Sequence, residues 1–216
     1  MSYAAVTFDS HGVRCHAWHF RAESDRMTGP HGRAMVVMAH GFGGTKDSGL
    51  EPFAERFAAG RDRAAQRADC PVVDGHRRGQ QGVRRPRQGA KLMPLVAYSD
   101  ERGALALDGA YESYTALAGP TWRNEVDSAV GLELGGIRAT PAAKRLKCRL
   151  LVQLGDFDRY VPAASVVKTA VAGRGEVHHY PCDHFDVWPG NEWFDKVCDD
   201  QVAFLTRALA PAVATR

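Results

Sequence analysis

Apolar and polar positions along the chain predict strands and helices that alternate. Residues 3–9 and 13–20 each alternate apolar with polar side chains around a turn at 10–12, which predicts an N-terminal hairpin of half-buried strands. A polar stretch at 21–32 predicts a surface loop. The run at 33–39 is continuously apolar after Arg33, which is typical of a strand buried on both faces in a parallel sheet.

Further elements follow from helical spacing and from shorter apolar runs. Pro52 stands in the first turn of the first predicted helix, where a proline is tolerated. Helices are predicted at 51–59, 109–118, 122–134, 163–172 and 193–209, and strands at 149–154 and 175–180, with a short strand possible at 69–74. This order predicts an α/β fold with a mostly parallel sheet preceded by an antiparallel hairpin.

Composition is that of an ordinary globular protein. The 216 residues are 44% hydrophobic and 25% charged, with a net charge of +3. The apolar run at 34–39 is far shorter than the roughly 20 residues of a membrane span. The N-terminus lacks a secretory pattern. Five widely spaced cysteines without a C-x-x-C motif favour a reducing, cytoplasmic location over a disulfide framework.

One segment differs in charge from the rest of the chain. Residues 61–91 hold eight arginines and one lysine against three aspartates, and are rich in glycine and glutamine. Such a segment favours a solvated loop. It is also compatible with binding to an acidic surface. Because it contains no aromatic residue for base stacking, a nucleic-acid partner is not expected.

Three loops, each directly after a predicted strand, carry residues suited to acyl transfer. In the loop His40-Gly41-Phe42-Gly43-Gly44, the Phe42 amide can stabilise an oxyanion. Asp158 follows the strand at 149–154 and can orient a histidine, whereas Asp156 suits a turn. His184 follows the strand at 175–180 and can act as a general base. Each loop taken singly is also compatible with a plain turn or a helix cap.

Taken in this order, the loops resemble the α/β-hydrolase family, and more narrowly a bacterial group of esterase- and peptidase-like hydrolases. The matching motifs are H-G-F-G-G-T-K-D at 40–47, G-x-x-D-x-x-x-P at 155–162 and H-F-D-x-x-x-G at 184–190. The resemblance covers roughly 3–59 and 92–209. It implies a hydrolase core at 1–91 and 148–216 and a cap at 92–147.

The resemblance also implies roles for individual residues. Asp158 would be the triad acid and His184 the base, with the oxyanion held by Phe42 in the loop of His40, Gly41 and Gly43. It implies a small ester or other acyl compound as substrate and no cofactor. Independently of the resemblance, the sequence leads us to expect no bound metal and no membrane partner. The resemblance implies nothing about the oligomeric state.

The nucleophile of such a triad is not identifiable in the sequence. The family places it in G-x-S-x-G, and no serine of this chain has glycine at both −2 and +2. Neither Cys70 nor Cys182 fits such a turn. Ser48 and Ser99 are weak substitutes. The family has two further strand–helix units after the helix resembling 51–59, which predicts an internal deletion of the central strands and a protein without ordinary serine-hydrolase turnover.

Two other interpretations stay open. His178, His179, Cys182 and His184 are close enough in sequence to suggest a zinc site, although their spacing matches no metal motif. Alternatively, the chain is a non-catalytic binding module of the hydrolase fold. In that case some of its aromatic residues line a pocket rather than pack in a core: Phe185, Trp122, Trp188 and Trp193.

Overall fold

A computed structural model of the chain describes residues 3–10, 12–30, 32–60, 91–131 and 136–210. The basic segment, apart from Lys91, and the possible strand at 69–74 lie outside these ranges. The strands are β1 (Tyr3–Ser10), β2 (Val13–Phe20), β3 (Thr28–Gly29), β4 (Gly32–Arg33), β5 (Leu92–Met93), β6 (Val126–Asp127), β7 (Leu151–Gly155) and β8 (Glu176–Tyr180). The helices are α1 (Glu51–Ala59), α2 (Ala110–Ala116), α3 (Ala139–Ala143), α4 (Ala163–Ala172) and α5 (Phe194–Leu209).

The predicted N-terminal hairpin is confirmed, but not its burial. Strands β1 and β2 pair antiparallel in register from Tyr3 opposite Phe20 to Ser10 opposite Val13. Gly12 adopts a φ of 78° in the turn, and its amide donates to a carboxylate oxygen of Asp9. Strand β2 alternates between half-buried and exposed positions, whereas β1 is exposed along nearly its whole length. The prediction of two half-buried strands is therefore wrong for β1.

The prediction of a buried strand at 33–39 is wrong. Arg33 ends the short β4, which pairs with β3 in the segment predicted to be a plain loop, and residues 34–39 have no regular structure. Met35 is 75% exposed and Val37 is 73% exposed. A strand needs neighbouring strands to bond its backbone and cover its side chains. Within the described ranges no strand pairs with this run.

The α/β pattern is clearest in the C-terminal part of the chain. Strands β7 and β8 pair in parallel, with Leu151 opposite Glu176 and Gly155 opposite Tyr180. Helix α4 connects them and α5 packs against β7. These four elements confirm the predictions for this region. The mostly parallel sheet is only partly present, because the other paired strands of the described residues form antiparallel two-stranded ribbons.

The segment expected to be a cap has less helix than predicted. Helix α2 confirms the prediction at 109–118, but 122–129 form a loop that includes β6, and 132–135 lie outside the described residues. The physical reason is that β6 pairs with β5. The Asn124 side chain also bonds both the amide and the carbonyl of Val96. These tertiary bonds override the helical spacing.

The described residues divide into two compact units. The first contains 3–21, 38–51 and 91–137, and Leu95, Val96 and Ala110 are buried in it. The second contains 22–37, 52–60 and 138–210, and its buried residues include Tyr180 and Cys198. The division into a hydrolase core and a cap at 92–147 stays a prediction. No helix in the described part of the chain is long and apolar enough to cross a membrane.

Candidate acid–base site

Asp158 and His184 meet in the second unit. Nδ1 of His184 lies 2.9 Å from Oδ2 of Asp158, a distance typical of a charge-assisted hydrogen bond. The Asp158 side chain is 12% exposed and the His184 side chain 35% exposed. The carboxylate is thus shielded from water, while part of the imidazole faces solvent.

The two loops approach so closely because position 155 is glycine. A Cβ on Gly155 would lie 2.4 Å from the carbonyl oxygen of Cys182, well inside van der Waals contact. That carbonyl accepts a hydrogen bond from the Phe157 amide at 3.1 Å, and the Asp156 amide donates to the Tyr180 carbonyl at 2.8 Å. These backbone bonds fix the loop after β7 against the loop after β8.

Backbone amides orient the carboxylate of Asp158. Its Oδ1 accepts hydrogen bonds from the amides of Tyr160 at 2.8 Å and Val161 at 2.9 Å. The other oxygen, Oδ2, is left to face the imidazole of His184. The turn therefore presents one particular carboxylate oxygen to the histidine, as an aspartate that orients an imidazole must do.

Asp183 makes a second connection between the same loops. It accepts hydrogen bonds from the Arg159 amide and Nε, and from the His184 amide. Burial favours the neutral acid, but these donors outweigh it and hold the pKa of Asp183 below its ordinary value of 3.8. No role was predicted for Asp183, although Asp183 and Arg159 directly adjoin the two predicted site residues in the sequence.

The other ring nitrogen of His184 is open. Among the described residues of the second unit, no side chain or backbone group hydrogen-bonds Nε2. The ring centroids of Tyr160 and Phe185 lie 5.4 Å and 4.9 Å from the imidazole. Because Asp158 holds the Nδ1 side, Nε2 is the nitrogen that can accept a proton from a nucleophile or bond to a substrate.

A second carboxylate–imidazole pair lies beside the first. Nδ1 of His179 is 2.8 Å from Oδ1 of Asp156, with side chains 51% and 43% exposed. Asp156 was expected only to form the turn. In the parallel register Leu154 lies opposite His179, and Asp156 is two residues beyond Leu154, so its side chain falls on the same face as that of His179.

The glycine-rich loop at 40–44 lies in the first unit. A Cβ on Gly43, whose φ is +75°, would meet the Leu95 side chain at 2.3 Å, and one on Gly44 would meet the His40 ring at 2.2 Å. Gly43 is therefore favoured by its left-handed backbone conformation, whereas a side chain at Gly44 would have to displace the His40 ring. Burial lowers the pKa of His40, although its ring also bonds the Ser48 carbonyl.

Two aromatic side chains brace the same loop. The Tyr114 hydroxyl donates to the Phe42 carbonyl at 3.0 Å, and the Trp122 indole donates to the Gly43 carbonyl at 3.1 Å. In the described residues the Phe42 amide itself has no hydrogen-bond partner. The assignment of Phe42 as an oxyanion donor, with Gly41 in the same loop, stays a prediction. Trp122 has a structural role here, which accounts for its half-buried position.

The weak substitutes for a nucleophile are not arranged as one. Ser48 is 4% exposed, and its hydroxyl bonds the amide and hydroxyl of Thr45. Ser99 lies in an exposed turn. Cys182 is buried, and burial, reinforced by nearby carboxylates, raises the pKa of its thiol. Among the described residues of the second unit, no serine, threonine or cysteine side chain bonds Nε2 of His184.

The residues considered for zinc do not converge. His178 faces Glu176 at 2.9 Å and Asp200 at 3.4 Å, whereas His179 faces Asp156. Within the described ranges, no group of three or more histidine, cysteine, aspartate or glutamate side chains is arranged to hold a metal ion. Of the aromatic residues considered for a pocket, Trp188 packs edge-on against Phe53 and Trp193 packs beside Tyr180.

Comparison with known proteins finds a distant similarity. The chain is 25% identical to the quorum-quenching protein AidA of Acinetobacter baumannii (strain MDR-ZJ06), over an alignment that covers 94% of each protein. No family model and no solved structure matches the chain. The alignment has 295 positions and the chain 216 residues, so at least 79 aligned positions contain no residue of this chain.

Proposed function

We propose that the chain is an α/β-hydrolase-fold protein, descended from hydrolases of carboxylic esters or related acyl bonds, that keeps the acid and base of a catalytic triad and lacks the nucleophile. Asp158 is the acid and His184 the base. The single observation that carries this proposal is the 2.9 Å contact between Asp158 Oδ2 and His184 Nδ1, while Nε2 has no hydrogen-bond partner among the described residues of the second unit.

The distant relative supports the proposed substrate class. A quorum-quenching protein acts against bacterial signalling, and signals with an ester or related acyl bond are chemically suited to a hydrolase of this kind. The proposal for this chain is accordingly a small acyl compound as ligand. The aromatic rings of Tyr160 and Phe185 beside the imidazole are suited to an apolar acyl group.

The lack of a nucleophile is supported by the size of the gap in the alignment. At least 79 positions exceed the roughly 60 residues of two strand–helix units. The exposed apolar run around Met35 and Val37 is what a central strand becomes when its neighbours are removed. We infer a deletion between α1 and β5 that took the nucleophile with it.

An active-site-directed fluorophosphonate probe tests the proposal. Such a probe bonds covalently to an activated serine, so an intact serine hydrolase is the positive control and the heat-denatured chain the negative one. We expect no stoichiometric labelling of the folded chain. Ser48→Ala and Ser99→Ala are the matched variants, and labelling of one serine that either variant abolishes would overturn the proposal.

A non-catalytic binding module is the second candidate. The bracing of the glycine-rich loop by Tyr114 and Trp122 favours it, because that loop keeps its bonds without a triad nucleophile. A ligand present at 100 times its dissociation constant stabilises the folded state by about 2.7 kcal/mol. A series of carboxylic acids and their methyl esters, scanned by thermal unfolding, should then raise the melting temperature without ester turnover.

A further inference from the structure

We propose that His184 is itself an acyl acceptor, so that the chain cleaves activated esters through its imidazole. This inference rests on the proposed function, because it assigns to the histidine the position that the missing nucleophile would occupy. It adds a reaction that the ancestral triad would not perform.

The hydrogen bond to Asp158 determines which nitrogen is nucleophilic. A carboxylate accepts a hydrogen bond, so the neutral imidazole of His184 carries its proton on Nδ1, which lies 2.9 Å from Oδ2. The lone pair is then on Nε2. The amides of Tyr160 and Val161 hold the Asp158 carboxylate in place, so the tautomer with its proton on Nδ1 is favoured over the one with its proton on Nε2.

Access distinguishes this histidine from a core residue. The side chain is 35% exposed, and no described group of the second unit bonds Nε2. In a complete triad the nucleophile hydroxyl would bond this nitrogen and take the acyl group first. Without that hydroxyl, Nε2 is available as a nucleophile to an acyl carbon placed beside the rings of Tyr160 and Phe185.

Two nearby histidines show why the inference concerns position 184. His178 faces carboxylates with both ring nitrogens, so neither nitrogen is open to an ester. His179 has a carboxylate on Nδ1 like His184, but its partner Asp156 is 43% exposed against 12% for Asp158. Water competes more strongly for the Asp156 carboxylate, so His179 is held less firmly. His179 is therefore the matched control for His184.

The reaction balances without any further reactant except water. Nε2 attacks the acyl carbon and forms a C–N bond while the C–O bond to the leaving group breaks, and the leaving oxygen takes the electron pair. The cation formed in this way becomes a neutral acyl-imidazole when Nδ1 releases its proton through the Asp158 carboxylate to solvent, from which the leaving oxygen can take a proton. Water then attacks the acyl carbon, the C–N bond breaks, and the free acid and the original imidazole result.

The test uses the full chain with p-nitrophenyl acetate as substrate, because the proposed reaction requires only an activated ester. We expect a burst of nitrophenolate, and mass mapping of rapidly quenched protein should find the acetyl group on His184 before His179. His184→Gln should lose the burst and Asp158→Asn should weaken it, whereas His179→Gln should retain it. Circular dichroism of each variant excludes unfolding as the cause.

The outcomes separate this inference from the proposed function. Equal acetylation of His184 and His179 in the unmodified chain overturns the inference, and this comparison needs no variant to fold. A burst that survives His184→Gln overturns it as well. A fluorophosphonate-labelled serine would instead refute the proposed function. If neither histidine nor serine is labelled, only the acyl-acceptor inference fails.

Discussion

Replacement of Gly155 by alanine should separate the two loops of the acid–base site. The new Cβ would lie 2.4 Å from the Cys182 carbonyl oxygen, whereas carbon–oxygen contacts in proteins are about 3.3 Å or more. The obstacle is backbone, so one loop has to move by roughly 1 Å. Overpacking of this kind costs about 1–3 kcal/mol.

The displacement should also be visible at the histidine. A shift of that size stretches the hydrogen bond from the Phe157 amide to the Cys182 carbonyl. It also lengthens the distance between Asp158 Oδ2 and His184 Nδ1 beyond hydrogen-bonding range. We expect a lower unfolding midpoint in urea. We also expect loss of the low-field proton resonance that marks an imidazole N–H bonded to a carboxylate.

Gly41→Ala is the control for this prediction. A Cβ at Gly41 meets no heavy atom within 4 Å, and its φ lies outside the left-handed region. Its free energy of unfolding should change by less than about 0.5 kcal/mol. If Gly155→Ala unfolds at the same urea concentration as the unmodified chain and keeps the low-field resonance, the close approach of the two loops is refuted.

Two further predictions concern the hydrogen bonds of each unit. Burial alone would raise the pKa of Asp47, but bonds from Thr45 and Thr121 lower it from 3.8 to about 2. That gap corresponds to about 2.5 kcal/mol, which solvent screening reduces to about 1 kcal/mol. Since the pKa is lowered on folding, this stability is present above pH 3.8 and is lost as the pH falls through 2. Urea unfolding of Asp47→Asn should therefore differ from the unmodified chain at pH 6 and converge with it near pH 2; a constant difference would contradict the reasoning. In the second unit, Tyr180 donates to Asp200 at 2.8 Å, and Tyr180→Phe should cost about 1–3 kcal/mol because it leaves polar groups unpaired. Tyr98→Phe, at an exposed position, should cost far less in the same urea assay, and equal losses would count against this network.

The C-terminal elements could be predicted because their signals are local. Strand β7 is a short, mostly apolar run that ends in glycine, β8 begins directly after Gly175, and α4 starts directly after Pro162. Adjacent strands linked by one helix pair with each other in most α/β folds. The periodicity of α5 likewise comes from its own sequence. None of these predictions depends on a distant part of the chain.

The run at 33–39 shows where local pattern fails. Its composition is that of a strand buried on both faces of a sheet, but the residues that would bury it have to come from other segments of the chain. The first part of the helix expected at 122–134, residues 122–129, is wrong for a related reason, because β5 pairs with β6 inside it. A periodicity argument contains no information about which partners are present.

The candidate site was predicted in part for the same reasons. Asp158 and His184 could be proposed from their places after two neighbouring strands, since the carboxyl ends of parallel strands lie at one edge of a sheet. The bonds of Asp183 to Arg159 could not be foreseen. They depend on how closely two loops approach, and that distance is set by the absent Cβ of Gly155.

The exposed run and the shortened alignment point to the same event. The exposed side chains of Met35 and Val37 lower the stability of the fold and promote association between molecules, so their exposure needs an explanation. The relative aligns along 94% of both proteins, yet 79 or more positions have no counterpart here, and so the missing residues are internal. The loss proposed above between α1 and β5 would account for both facts, because it would remove the neighbours of the run. It would leave untouched the contiguous segment 149–209 that contains Asp158 and His184, and so would explain how the proposed acid–base pair is kept without a nucleophile.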